Sequence, residues 1–162
     1  MNATRLTDAE IDQLQQCILR GEVVVAESGA GRLEQRLLDG RHLLSADEPV
    51  TAGGGDAGPG PYELLLMSLG ACTSMTLRLY ADRKGWPLER VTVRLSHAKV
   101  HAEDCEDCED RNVMIDRIER RIALAGALDA EQRARLMQIA DRCPVHRSLS
   151  SKIVIRTEAI AA

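Results

Sequence analysis

Residues 64–80 read LLLMSLGACTSMTLRLY and carry apolar side chains in nearly every direction around a helix. Pro61 suits the first turn of such a helix, Glu63 favours the positive end of its dipole, and KGWP at residues 84–87 ends it. The longest uncharged run, residues 64–77, is shorter than the roughly 20 residues that a membrane-spanning helix needs. The stretch therefore predicts a buried central helix and no membrane partner.

Segments on both sides of this helix have the alternating pattern of short antiparallel strands. Before it come EVVVAES, RLEQRLLD and RHLLSAD, separated by the turn sequences GAG and DG. After it come RVTVRLSHAKVHA, IDRIERRIALAGAL and SKIVIRTEAI. A glycine-rich loop, DEPVTAGGGDAGPGP, leads into the helix, and such loops often carry function. The order of elements predicts a mixed α+β protein.

Two capping boxes predict further helices. Thr7 with Glu10 begins an N-terminal helix, and Asp129 with Gln132 begins a later one. Apolar residues at helical spacing follow each box, and Pro144 is expected to end the second helix.

Length and composition limit the classes of protein that this chain can be. With 162 residues it suits one domain, predicted over residues 22–162 and preceded by a helical extension over residues 1–21. A net charge of -4, no basic run and only three aromatic residues argue against nucleic acid as a partner. The N-terminus lacks the apolar stretch of a secretory signal, so we expect a cytoplasmic protein, in which five cysteines favour catalytic, redox or metal-binding roles.

Two of these cysteines are placed to act together. Cys143 follows Leu136, Ile139 and Ala140 at helical spacing, and Cys72 lies in the central helix. The stripe assigned to Cys72 is Leu65, Leu69, Cys72, Thr76 and Leu79. A free cysteine is often only a core residue. Two thiols facing one interior, however, permit oxidation of one to a sulfenic acid and its capture by the other as a disulfide.

The motif GPGPYELLLMSLGACTSM, followed about 70 residues later by DRCPVH, resembles the OsmC/Ohr family, named for osmotic induction and organic hydroperoxide resistance. The resemblance covers about residues 22–158. It implies an OsmC-like α+β fold, with two long central helices packed on curved antiparallel sheets in an intertwined homodimer. It further implies a peroxidatic Cys72 and a resolving Cys143, which reduce organic hydroperoxides to alcohols. The reductant is a dithiol or a lipoyl-type thiol, and no cofactor is required.

The residues that would activate the thiol depart from the family's pattern at one position. In the family's characterised peroxidases a glutamate directly follows the helix-opening proline and fixes a catalytic arginine, whereas here Glu63 comes one residue later. One position turns a helical side chain by about 100°, so Glu63 is either a partner of the arginine or only of the helix dipole. Arg32 in GAGR and Arg41 in GRHLLSADEP both resemble arginines of the family, and either is alternatively a surface charge.

A second motif lies in an acidic loop. His97, His101, Cys105 and Cys108 have the spacing H-x3-H-x3-C-x2-C, which suits a tetrahedral zinc site. The alternative is a solvated loop whose thiols are idle or form a local disulfide. The motif also supports a different function, a non-enzymatic redox-sensing or metal-binding module. His146, just after Cys143, can hydrogen-bond near the active site, but a histidine at a helix end more often faces solvent, and we expect the latter.

Overall fold

The computed structural model describes residues 5–101 and 114–160. The chain divides into two compact units, residues 1–65 and 66–162. The first unit contains helix α1 (Asp8–Cys17), strands β1 (Val24–Glu27), β2 (Gln35–Leu38) and β3 (Leu43–Ala46), and a 3-10 turn (Val50–Ala52). Helix α2 (Pro61–Lys84) begins in the first unit and continues in the second. The second unit also contains β4 (Arg90–His101), β5 (Met114–Ala125), α3 (Ala130–Ala140) and α4 (Pro144–Leu149).

In the first unit the three short strands form the predicted antiparallel meander, in the order β1-β2-β3. Leu38 on the middle strand is buried and lies opposite Val24 and Leu43. The predicted capping box of α1 is present, because the Thr7 N–H donates to Glu10 Oε2 at 2.8 Å and Thr7 Oγ1 accepts from the Glu10 N–H. The capping box and the short hairpins thus rest mainly on residues that are close in sequence.

The glycine-rich loop is organised by the buried carboxylate of Asp47. Asp47 accepts hydrogen bonds from the N–H groups of Glu48 and Gly55, both at 2.8 Å, and of Ala57 at 3.2 Å. Burial raises the pKa of Asp47, but the three N–H donors together outweigh it and hold that pKa below its ordinary value. Gly54 passes so close to the chain that a Cβ there would meet the Glu48 carbonyl oxygen at 1.8 Å. The loop therefore has a defined shape.

The central helix α2 confirms the predicted start at Pro61 and ends before Gly85, which adopts a left-handed conformation at φ 64°. Its buried residues lie four apart on a single stripe: Leu69, Thr73, Leu77 and Ala81. By length and hydropathy α2 meets the requirements of a membrane span, as core helices of soluble proteins also do.

The opposite side of α2 is open in the single chain. Met67, Met75 and Leu79 are 57%, 64% and 65% exposed, so in a single chain the predicted burial of α2 holds for one face only. One small unit covers only one face of a helix that is apolar all round.

The second unit has a long antiparallel hairpin and a helical cover. Strands β4 and β5 pair over twelve residues each, from Arg90 opposite Ala125 to His101 opposite Met114. The hydrophobic core lies where α2 and α3 meet, and its members are Leu77, Ala81, Leu88, Leu128, Leu136, Ile139 and Ala140. The capping box of α3 is confirmed, since Asp129 Oδ1 accepts from the Gln132 N–H at 2.7 Å.

Two predictions at the C-terminal end are wrong. The segment SKIVIRTEAI is not a strand, and Ile153, Val154 and Ile155 are 58%, 71% and 85% exposed. A strand needs a neighbour for its backbone groups, and no strand of the described chain pairs with this segment. Pro144 does not end α3, which stops at Ala140, but begins α4, because proline is well suited to the first position of a helix.

Candidate active site

Cys143 is the most enclosed thiol among the described cysteines, with an exposed fraction of 0%. It lies beyond the end of α3, rather than on its apolar face as expected, and caps α4: the His146 N–H donates to its sulfur at 3.3 Å. The hydroxyl of Thr73, from the buried stripe of α2, lies 3.6 Å from the same sulfur. Two polar groups from separate elements thus converge on Cys143 Sγ.

Arg120 on β5 joins these elements. Its Nη1 donates to Thr73 Oγ1 at 3.0 Å and to the Ala140 carbonyl at 3.2 Å, and its Nη2 donates to Asp141 Oδ1 at 2.6 Å. The arginine side chain is only 12% exposed. It therefore connects α2 with the end of α3, directly before Cys143.

The sequence motifs pointed to neither Arg120 nor Thr73 as a site residue. The available signal was the alternation of β5, in which Arg120 falls between Ile118 and Ile122 on the more buried face. A charged residue at an inward position of a strand requires polar partners, because an unpaired buried charge is strongly destabilising.

Cys72 differs from its predicted position. It is half-buried, one residue before the fully buried Thr73. Consecutive residues of a helix point about 100° apart, so Cys72 lies at the edge of the buried stripe and not on it. The side chain of α2 that contacts the Cys143 sulfur therefore belongs to Thr73.

A cavity of about 300 Å³ opens beside the arginine. Its apolar walls are Leu69, Ile118 and Leu149, and its polar lining is Asp116, Arg120, His146 and Ser150. His146 is half-buried here, contrary to the expectation that it faces solvent. The cavity combines apolar walls with a guanidinium, a carboxylate and an imidazole, which suits a small molecule with one polar end.

The other predicted activating residues belong to the first unit, whose contacts are described by themselves. Glu63 Oε2 accepts from the Gly60 N–H at 2.8 Å, which is half of a capping box. Arg32 is exposed beside Gly53, and Arg41 is exposed in the turn after Asp39. Within the described residues neither arginine forms an ion pair with Glu63.

The predicted zinc ligands fall only partly within the described residues. Cys105 and Cys108 lie outside them. His97 is half-buried on β4, with Nε2 2.8 Å from Asp116 Oδ1, and His101 is exposed near the strand's end. Among residues 5–101 and 114–160 no group of three or more histidine, cysteine, aspartate or glutamate side chains is placed to hold a metal ion.

Solved structures share this fold. A proposed osmotic stress induced and detoxification response protein from Psychrobacter arcticus 273-4 matches with a TM-score of 0.62 and 19% identity, over 80% of this chain and 90% of that chain. The organic hydroperoxide resistance protein OsmC from Legionella pneumophila matches with a TM-score of 0.56 and 18% identity, over 80% and 89%. The organic hydroperoxide resistance protein OhrB of Bacillus subtilis gives 0.54 and 18%, over 80% and 89%.

The sequence itself matches none of the curated proteins. It does match a family model, that of the OsmC-like protein, over residues 53–158. This range includes α2, the hairpin, both helices that follow it and both thiols. Because the match extends over well more than half of the sequence, the chain belongs to the OsmC-like protein family.

Proposed function

We propose that this protein is a thiol-dependent peroxidase that reduces organic hydroperoxides to alcohols. The family supports the reaction class, since two of the similar structures are organic hydroperoxide resistance proteins. The observation that carries the proposal is the 3.6 Å contact between Thr73 and the Cys143 sulfur. The residue next to Cys72 in the helix thus touches the second thiol, and this supports our assignment of the two cysteines to one site.

In the proposed cycle the Cys72 thiolate attacks the distal oxygen of the hydroperoxide. The S–O bond forms as the O–O bond breaks, and the alkoxide leaves as the alcohol after taking a proton. The Cys143 thiolate then attacks the Cys72 sulfenic acid, which forms the disulfide and releases hydroxide that is protonated to water. A dithiol or lipoyl-type reductant supplies two electrons and restores both thiols.

Access favours this division of roles. Cys72 is half-buried and so can be reached by a substrate, whereas Cys143 is fully enclosed and meets only protein groups. From the family resemblance we assign the cation that stabilises the Cys72 thiolate to Arg32 or Arg41. Within the described residues Glu63 accepts from the Gly60 N–H and pairs with neither arginine, so the arginine–glutamate pair would have to form in the proposed dimer.

The active form proposed here is an intertwined homodimer with two long central helices over curved sheets. The exposed face of α2, made by Met67, Met75 and Leu79, and the unpaired segment around Ile155 both need a cover that one chain lacks. A second copy would supply it. Sedimentation at micromolar concentration should give a dimer, and a stable folded monomer would contradict the proposal.

The proposed reaction takes place in the cytoplasm and needs no metal, haem or flavin. A structural zinc at His97, His101, Cys105 and Cys108 stays a separate prediction. Elemental analysis of untagged protein, compared with Cys105→Ser, tests it: about one zinc per chain supports the site, and its absence in the wild type refutes it.

The decisive experiment measures consumption of cumene hydroperoxide with dihydrolipoamide or dithiothreitol as reductant. Cys72→Ser should lower turnover at least about a thousandfold, because it removes the nucleophile. Cys17→Ser is the matched control, since Cys17 is exposed on α1, and it should retain full activity. Undiminished turnover in Cys72→Ser, with an unchanged circular dichroism spectrum, would exclude the assignment.

A further inference from the structure

We propose that Arg120, acting through Thr73, makes Cys143 the thiolate that leaves when the reductant opens the disulfide. The inference rests on the proposed function and concerns its reductive half. Both residues are assigned as positioning residues, since neither forms a bond to substrate or reductant.

The first step is the direction of the hydrogen bonds. A guanidinium only donates, so Thr73 Oγ1 must be the acceptor in its 3.0 Å bond with Arg120. The hydroxyl keeps its one proton, which can point to the Cys143 sulfur 3.6 Å away. While Cys143 is a thiol either atom can donate, but once it is a thiolate only Thr73 can. The guanidinium that donates to the Thr73 oxygen makes the Thr73 O–H a stronger hydrogen-bond donor to the sulfur anion.

The second step is burial. Thr73 and Cys143 are both 0% exposed, and the Arg120 side chain is 12% exposed. Water therefore screens little of the interaction between the guanidinium and a sulfur anion.

Two further groups near Cys143 bear on the charge of its sulfur, the Asp141 carboxylate and the His146 N–H. Asp141, at the end of α3, is bonded to Arg120 but its side chain is 65% exposed, so solvent screens much of its charge. The His146 N–H is a second donor to the sulfur, at 3.3 Å. Through Thr73, the Cys143 sulfur therefore interacts with the buried part of Arg120 and not with the part that is bonded to the exposed Asp141.

The third step compares the two sulfurs of the disulfide. When a thiolate attacks one sulfur, the S–S electron pair leaves with the other, and the better stabilised thiolate leaves faster. The half-buried Cys72 sulfur is the one that a reductant can reach, and the enclosed Cys143 sulfur has two hydrogen-bond donors that stabilise it as the departing thiolate. The reductant should therefore bond to Cys72 and release Cys143. Its second thiol then attacks its own sulfur in the mixed disulfide, which closes the oxidised reductant and releases the Cys72 thiolate.

The test uses full-length protein in which Cys17, Cys105 and Cys108 are replaced by serine. Peroxide forms the Cys72–Cys143 disulfide, excess β-mercaptoethanol opens it, acid quenches the mixture at early times, and peptide mapping locates the adduct. We expect the adduct on Cys72 in at least about tenfold excess, because Cys143 is fully enclosed and hydrogen bonds stabilise its thiolate as the leaving group.

Thr73→Val keeps the shape of the side chain and removes the hydroxyl, while Thr73→Ser keeps the hydroxyl. Thr73→Val should slow opening of the disulfide roughly tenfold to a hundredfold. The adduct should stay on Cys72, because the Cys143 sulfur is still enclosed. Thr73→Ser should restore the opening rate. The rate at which peroxide oxidises Cys72 should stay unchanged in both variants, which a merely structural defect would not explain.

Arg120→Met should have the same effect, and Arg133→Met is its matched control. Arg133 is a half-buried arginine of the same unit, but it donates to the carbonyls of Leu124, Gly126 and Leu128 and does not contact either sulfur group. Arg133→Met should therefore leave the opening rate unchanged. If Arg120→Met fails to fold, Thr73→Val decides alone.

The possible failures are distinguishable. If peroxide forms no disulfide between the two cysteines, the proposed function is wrong. If the disulfide forms but the adduct lies on Cys143, or Thr73→Val opens as fast as the wild type, the inference about the leaving thiolate is overturned while the peroxidase proposal stands.

Discussion

Cys72 and Cys143 have different surroundings. Cys72 is half-buried in the middle of a long helix. Cys143 is fully enclosed at the start of a short helix, where a hydroxyl and a backbone N–H both reach its sulfur. The first position gives access and the second gives stabilisation of charge.

This difference suits two successive steps of one reaction. A peroxidatic sulfur must meet a molecule from outside, which a fully enclosed thiol cannot do without local opening. A resolving sulfur must attack once and later leave as an anion, which hydrogen-bond donors assist. The two positions would not be interchangeable, and four measurements can break or sharpen that statement.

The largest expected difference is in reactivity toward a small alkylating reagent. In the folded, reduced protein iodoacetamide should modify Cys72 at least about a hundredfold faster than Cys143, because the enclosed thiol reacts only after local opening. Peptide mapping at timed intervals measures both rates, and the same mapping in denaturant is the control, where the rates should converge. Equal alkylation rates in the native protein would show that the two thiols are equally accessible.

The second measurement removes one thiol at a time. In Cys143→Ser the sulfenic acid of Cys72 has no partner, so a dimedone-type probe should trap it, with a lifetime at least about tenfold longer than in the wild type. In Cys72→Ser the probe should label neither position after one equivalent of peroxide. Mass spectrometry of the labelled peptides separates these results. Labelling of Cys143 in Cys72→Ser would mean that the roles are exchanged.

The sequence predicted Cys72 and Cys143 more readily than the network that joins them. Capping boxes and the limits of α2 depend on residues within one turn, so they were read correctly from local patterns. The partners of Arg120 are 47 residues away at Thr73 and 20 away at Ala140, and no local pattern contains that information.

The two errors in the site have local causes. Cys143 has the spacing of the apolar face of α3, but the helix stops at Ala140 and Pro144 starts a new one, which changes the direction of the side chain. Cys72 was placed on the buried stripe because α2 is apolar on nearly all sides, so its periodicity does not reveal which face is covered. For the same reason the pattern of the C-terminal segment indicated a strand without supplying its partner.

The third measurement concerns the structural role of the Cys143 sulfur. Serine is a good N-cap and alanine is a poor one, so Cys143→Ala should be about 1 kcal/mol less stable than Cys143→Ser. Urea denaturation of the two variants in parallel measures the difference, and both lack the thiol, so chemistry does not enter. Equal stabilities would show that the bond from the His146 N–H contributes little.

The smallest expected effect is on stability in acid, which limits the pH range in which the two thiols can be compared. The pKa of Asp47 is lower in the folded protein than its ordinary value, so its contribution to stability is fully present above the unfolded pKa and is lost as pH falls through the folded one. The loop that it organises should therefore weaken only in acid, with neutral solutions unaffected.

Asp47→Asn should be less stable at neutral pH, because it loses an ionised acceptor of three N–H groups, and its stability should fall less on acidification than that of the wild type. Urea denaturation at pH 7 and at successively lower pH compares the two slopes, with Asp56→Asn, an exposed residue of the same loop, as the control. If the stability of Asp47→Asn fell as steeply with pH as that of the wild type, the acid sensitivity would come from another group in the chain.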